Sequence, residues 1–324
     1  MKKLISVLLC VCMLSFCLYA GAYAVPIAAG DDALRAEFQG GSGGGLDYRY
    51  FAPPAEEGKR YPLVVWLHGI GSGNYAGDQI DSYDVCKWDC DEFQARFADA
   101  GGAYLFAPRC AGGWDLTTPA ALKACIDSFI SGHAGSVDTN RIYLTGFSVG
   151  ATMVLKTASA YPNFFAAAVP ISAVVQDASQ VKALSGMAVW FFANEQDTYV
   201  SANVAATRSS FNTLSSVAAD KSKVRFTAVS KAVTPSGATV GTQHYMWRIF
   251  TNDMFMADGS QYAYSTTVDG TGATISFSSP NGIISWLSQQ SKQTQPTSAP
   301  GKSFLEKIAD FFRMIINFFA NLFS

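Results

Sequence analysis

Short apolar runs, each about one strand long, recur through the middle of the chain and set the architecture it can adopt. Leu63-Val64-Val65-Trp66-Leu67 holds no polar residue, the pattern of a central strand covered on both faces. Ala103 to Pro108, Ile142 to Thr145, Phe165 to Ile171, Met187 to Phe192 and Val224 to Val229 follow as further strand-length runs, the last interrupted by Arg225 and Thr227. Helical signals fall between them: residues 91–100, residues 119–130 with Pro119 in the first turn, and residues 151–158, which are small, apolar and free of Gly and Pro. Strand and helix alternating in this way predict an α/β fold, one mainly parallel sheet with helices on both faces. Ligands bind such sheets at the carboxyl ends of the strands.

The flanks read differently. Residues 25–45 end in Gly40-Gly41-Ser42-Gly43-Gly44-Gly45, taken as a flexible lead-in, and Asp47 to Phe51 alternates as an edge strand before Pro53-Pro54 stops it. Residues 252–280 turn to Gly, Ser, Thr and Tyr with little helical pattern, which predicts an insertion with a hairpin near the mouth of the site. A helix over residues 282–290 closes a domain that spans residues 46–291.

Composition narrows the class. With 49% hydrophobic and 15% charged residues the chain can build a large core, and a net charge of -2 with no long basic cluster gives no case for nucleic acid. Residues 1–24 read as a signal peptide: Lys2 and Lys3, an apolar run from Leu4 to Leu18, then Ala22-Tyr23-Ala24 for a signal peptidase. Phe16 argues against lipid attachment at Cys17. Export predicts two disulfides among Cys86, Cys90, Cys110 and Cys125, with the pairing open. The alternative, zinc at Cys86-x-x-x-Cys90, lacks a closely spaced second pair, so no metal is expected.

The chemistry centres on Gly146-Phe147-Ser148-Val149-Gly150, a G-x-S-x-G between a predicted strand and a predicted helix. Such a turn lifts the serine hydroxyl above the sheet at a helix N-terminus, and bulkier residues at either glycine would collide where strand and helix nearly touch. The chain has three histidines to act as its base. His68 ends a core strand and is suited to shaping the loop, His133 lies in a Gly-rich turn exposed to solvent, and His244 sits in a loop beyond the last predicted strand. His244 is therefore the expected base. Among Asp177, Asp197, Asp220 and Glu195, Asp197 follows a core strand directly and is the expected acid, with Glu195 as fallback. The glycine-rich His68-Gly69-Ile70-Gly71-Ser72-Gly73 is one residue short of G-x-G-x-x-G, so its amides suit an oxyanion better than a dinucleotide.

Trp66-Leu67-His68-Gly69, Ala107-Pro108-Arg109-Cys110, Val137 through Gly150, Tyr161 through Ala167 and His244-Tyr245-Met246-Trp247 together resemble the secreted α/β-hydrolases of the feruloyl esterase, polyhydroxybutyrate-depolymerase-like and predicted-peptidase group. The resemblance implies an α/β-hydrolase fold with Ser148 as nucleophile, His244 as base, Asp197 as acid, and the amides of Val149 and Ile70 as oxyanion hole. It implies ester hydrolysis without a cofactor, on a small or polysaccharide-linked ester such as a feruloyl or acetyl ester. His68, Trp114 and Trp247 are weaker candidates for substrate contact, with Trp88 beside them. A serine peptidase on the same machinery and a surface binding protein with a vestigial site are the competing expectations.

Residues 292–303 read as a linker and residues 304–324 as a helix with one narrow polar stripe, Glu306, Asp310, Arg313, Asn317 and Asn321. So wide an apolar face calls for a membrane surface, a partner helix or a membrane-spanning anchor, and the charges clustered in its first half weigh against the last.

Overall fold

The computed structural model describes residues 32–70, 78–81, 85–97, 100–174, 176–199 and 203–292. The expected signal peptide, the linker beyond Lys292 and the C-terminal helix lie outside these residues, and the compact unit closes at Lys292.

Among the described residues the strands are β1 (Gln39–Gly43), β2 (Leu46–Phe51), β3 (Tyr61–Leu67), β4 (Tyr104–Arg109), β5 (Val137–Phe147), β6 (Ala167–Ile171), β7 (Ala188–Asn194), β8 (Val224–Val229), β9 (Ser265–Asp269) and β10 (Thr274–Ile275). They form one sheet in the order β1-β2-β4-β3-β5-β6-β7-β8-β9-β10. β4 through β8 in that order run parallel, and the pairs at both edges are antiparallel.

Side-chain alternation along β3 shows why the sequence runs are unbroken. Val64 and Trp66 enter one core with Trp88, Phe97, Tyr143, Trp190 and Phe250. Leu63, Val65 and Leu67 enter a second with Phe106, Phe129, Leu144, Leu155 and Phe191. A strand buried on both faces must be apolar at every position.

The α-helices among the described residues are α1 (Asp32–Ala36), α2 (Asp78–Asp81), α3 (Asp91–Gln94), α4 (Pro119–Gly132), α5 (Val149–Ala160), α6 (Ala178–Ala183), α7 (Asn203–Val217), α8 (Trp247–Thr251) and α9 (Ile283–Ser288). The longer ones, α4, α5 and α7, cover the second core through residues such as Phe129, Met153 and Leu214. The first core is closed by shorter pieces, among them α8 and α9 with Phe250 and Trp286. None of the described helices is long and apolar enough to cross a membrane.

Four expectations are corrected. The helix over 91–100 stops at Gln94, whose side chain bonds the Trp88 carbonyl at 2.6 Å and the Ala103 amide at 2.8 Å and so holds a turn instead. The glycine run is no loose lead-in: β1 pairs with β2 through Gly44 and Gly45 at φ 57° and 82°, the two positive angles of a tight hairpin turn. A Cβ on Gly44 would lie 2.4 Å from the Cys125 nitrogen, so glycine is what lets this turn rest on α4. The hairpin in residues 252–280 is β9-β10, but Asp269 pairs with Arg225 at the start of β8. Its tip therefore lies at the amino ends of the parallel strands, away from the site mouth.

The expected disulfides are also not formed. Cys86 and Cys90 belong to the first core and Cys110 and Cys125 to the second, so the sheet separates the two sets. The Cys110 thiol donates to the Gly113 carbonyl at 3.1 Å, and burial pushes the Cys125 thiol up to about 12. Both are held as packed thiols.

One buried ion pair ties the loop after α8 to the first core. Asp253, with φ 53°, accepts from Arg96 Nη1 at 2.6 Å and from the Ile284 amide of α9 at 2.7 Å. Burial raises its carboxyl from 3.8 to about 6, against the opposing pull of Arg96. A folded-state value above the unfolded one means that this carboxyl contributes stability at low pH, and the contribution is lost as pH rises through about 6. Asp253→Asn stays neutral and lacks that loss. In thermal melts the stability of the natural protein relative to the variant should fall from about pH 4 to pH 7, by at most about 3 kcal/mol. A difference constant across the window would contradict the raised value.

Candidate active site

Ser148 occupies the turn between β5 and α5 with φ 59° and ψ −120°. A non-glycine residue there costs roughly 1–3 kcal/mol and persists only where its surroundings over-determine it. Here the Ser148 amide donates to the Ile171 carbonyl at 2.9 Å and its own carbonyl accepts from Thr152 at 3.0 Å. The glycines around it have no room for side chains. A Cβ on Gly150 would lie 2.3 Å from the Leu67 oxygen and 2.4 Å from the His68 oxygen, and one on Gly146 would lie 2.9 Å from the Leu67 Cβ. The turn is thus pressed against the end of β3.

Two loops bring the partners. Asp197 follows β7 and His244 precedes α8. His244 Nδ1 lies 2.6 Å from Asp197 Oδ2, and His244 Nε2 lies 2.9 Å from Ser148 Oγ. Since a carboxylate only accepts, Nδ1 carries the proton and the neutral Nε2 is left to accept from the serine. The Asp197 side chain is wholly buried and that of His244 nearly so, which strengthens their interaction relative to one in water. Ser148 also precedes the first amides of α5, whose N-terminal dipole favours negative charge.

A brace that sequence reasoning missed holds the two loops in register. Asn194 Nδ2, at the end of β7, donates to the Gln243 carbonyl at 2.8 Å, while Asn194 Oδ1 accepts from the Gln196 amide at 2.8 Å. The Gln243 side chain in turn accepts from the Ala232 amide at 2.7 Å. The segments carrying Asp197 and His244 are therefore bonded to each other. Position beside Asp197 and His244 is the one sequence signal that could have pointed to them.

The other sequence candidates separate cleanly. Glu195 is exposed, with its amide on the Val229 carbonyl, and does not reach His244. Asp177 caps α6, and the hydroxyl and amide of Ser179 hold its carboxyl below the usual range; Asp220 caps a short turn through Ser222 in the same way. His133 is half-buried in its turn, with its Nδ1 2.9 Å from the Phe129 carbonyl and its ring stacked on Phe129.

His68 and Trp114 brace the loop rather than face a ligand. His68 is fully buried, its Nε2 accepting from the Cys110 amide at 3.1 Å and its Nδ1 lying 2.8 Å from the Gly69 oxygen. Trp114, 1% exposed, donates from its indole to the His68 carbonyl at 2.8 Å. Trp88 is buried and stacked on Phe250. Trp247 packs edge-on against Phe147 at 5.1 Å, and Phe147 lies 4.8 Å from the His244 ring, so this tryptophan supports the imidazole through its neighbour. Val149 is the first residue of α5, where amides have no acceptor within the helix. Ile70 follows the His68 loop with its side chain 63% exposed. Ile70, Val174, Tyr199 and Tyr245 are all exposed, and each lies within three residues of a strand end or site residue. Among the described residues no group of His, Cys, Asp and Glu is arranged to hold a metal ion.

A largely parallel sheet carrying a serine on a strained strand-to-helix turn, with a histidine and a buried carboxylate on later loops, defines the α/β-hydrolase class. Residues 46–234 match the family described as Esterase PHB depolymerase, and the chain belongs to that family. A curated relative, poly(3-hydroxyalkanoate) depolymerase C from Paucimonas lemoignei, is 40% identical over 127 residues, covering 34% of this chain and 27% of the relative. The match thus spans about a quarter of that relative's length. A crystal structure of a thermostable esterase superposes with a TM-score of 0.55 at 23% identity, over 68% of this chain and 61% of the other, a likeness of fold.

Gly150→Ala tests the close approach directly. The added methyl meets backbone oxygens that cannot rotate away, so a loss of at least about 2 kcal/mol in unfolding free energy is expected. Denaturant unfolding at unchanged stability would contradict the packing described.

Proposed function

We propose that the chain is an exported serine carboxylesterase in which Ser148, His244 and Asp197 act as a catalytic triad. The observation that carries the reading is the continuous relay from Asp197 Oδ2 through His244 to Ser148 Oγ, at 2.6 and 2.9 Å. Ser148 Oγ attacks the ester carbonyl while His244 Nε2 takes its proton. Asp197 holds the imidazole in the required tautomer and stabilises its charged form. The amides of Val149 and Ile70 receive the oxyanion. Collapse of the tetrahedral species breaks the bond to the leaving alcohol, which takes the proton from His244. Water, deprotonated by His244, then releases the acid and regenerates Ser148.

For the acyl group, the family description and the relative from Paucimonas lemoignei favour an aliphatic hydroxy-acid ester. Burial of Trp88 and Trp114 removes two of the aromatic walls that a feruloyl ring would use, so feruloyl and acetyl esters form the comparison class. Export rests on Lys2, Lys3, the apolar run and Ala22-Tyr23-Ala24.

Ser148→Ala is expected to lower kcat on p-nitrophenyl butyrate by at least about a thousandfold with the melting temperature nearly unchanged, because triad members act as a unit. A panel of 3-hydroxybutyrate oligomers, methyl ferulate and acetylated xylan then ranks the acyl classes by kcat/KM. Undiminished hydrolysis by the serine variant would refute the reading.

A further inference from the structure

Two aromatic rings pack against the imidazole of His244. One is Phe147, whose centroid is 4.8 Å away and which is itself buried against Trp247. The other ring is Tyr199, stacked nearly parallel to the imidazole at 5.5 Å and 19° while remaining 70% exposed. A large aromatic side chain so open to solvent gains little from its own burial. It contributes nothing to either core, and its contacts are with the site.

The backbone of the same residue is equally engaged. The Tyr199 amide donates to Asp197 Oδ1 at 2.9 Å, leaving Oδ2 to His244 Nδ1. One residue therefore fixes the orientation of the carboxylate with its main chain and flanks the imidazole with its side chain. Without the ring, the part of the imidazole that Tyr199 covers would meet water, and rotation about the side-chain bonds would carry Nε2 out of line with Ser148 Oγ.

We propose that Tyr199 is a positioning residue for the reaction: its ring holds the His244 imidazole against Phe147 in the rotamer that faces Ser148. The inference rests on the triad reading above. The role belongs to the aromatic face and not to the phenol hydroxyl, so phenylalanine should replace tyrosine. Because the ring acts on the base and not on the acyl group, its removal should reduce kcat and leave KM nearly alone.

The experiment compares Tyr199→Ala, Tyr199→Phe and Ser148→Ala in the full chain on p-nitrophenyl butyrate, with NMR of the His244 ring protons in the first two. Tyr199→Ala is expected to lower kcat about tenfold or more with KM within about twofold, as small misplacements of a catalytic group do. Its His244 ring protons should move downfield on losing the stacked ring, and Tyr199→Phe should restore both readouts. Activity lost in Ser148→Ala but unchanged in Tyr199→Ala would leave the triad standing and overturn the positioning role. A rise in KM alone would make Tyr199 a substrate contact, and failure of phenylalanine to rescue would assign the effect to the hydroxyl; either overturns it. Full activity in Ser148→Ala would end the triad reading and this inference with it.

Discussion

The structure depends on one close approach. The turn holding Ser148 is forced against the end of β3, where Gly150 faces the carbonyl oxygens of Leu67 and His68 with no space for a methyl group. That contact holds the serine at a positive φ that it would otherwise leave. It also couples Ser148 to the segment that runs from His68 to Ile70. The same backbone oxygen of His68 that Gly150 approaches accepts the indole of Trp114. Core strand, strained turn and glycine loop are thus one packed unit.

The remaining site residues come from loops that the sheet places at the same edge. β7 ends at Asn194 and β8 at Val229, and their parallel pairing sets the distance between the Asp197 and His244 loops. The Asn194-Gln243 brace and the ring of Tyr199 refine what the strands set roughly. A preorganised relay at the edge of a packed sheet follows from that arrangement, since donors and acceptors held before substrate arrives need no reorganisation during reaction.

The sheet's centre was legible in the sequence because parallel strands buried on two faces must be continuously apolar, as Leu63 to Leu67 is. Ser148, Asp197 and His244 were legible because a strand-turn-helix serine restricts where its partners can lie in chain order. What the sequence hid depends on packing between distant segments. Gly40 to Gly45 looked flexible because glycine weakens an isolated strand, yet the contact of Gly44 with α4 favours glycine there. The cysteines suggested disulfides by number and by export, while their division between the two faces of the sheet is a matter of topology alone. Tyr199 and Asn194 carried no motif; their roles arise from which loop each faces.

The claim that the three side chains work as a unit is tested most directly by intact-protein mass spectrometry after reaction with a fluorophosphonate. The account predicts a single adduct, mapped to the peptide containing Ser148, forming at least about a hundredfold more slowly in His244→Ala. Labelling at another residue, or at Ser148 with equal speed in both proteins, would contradict it.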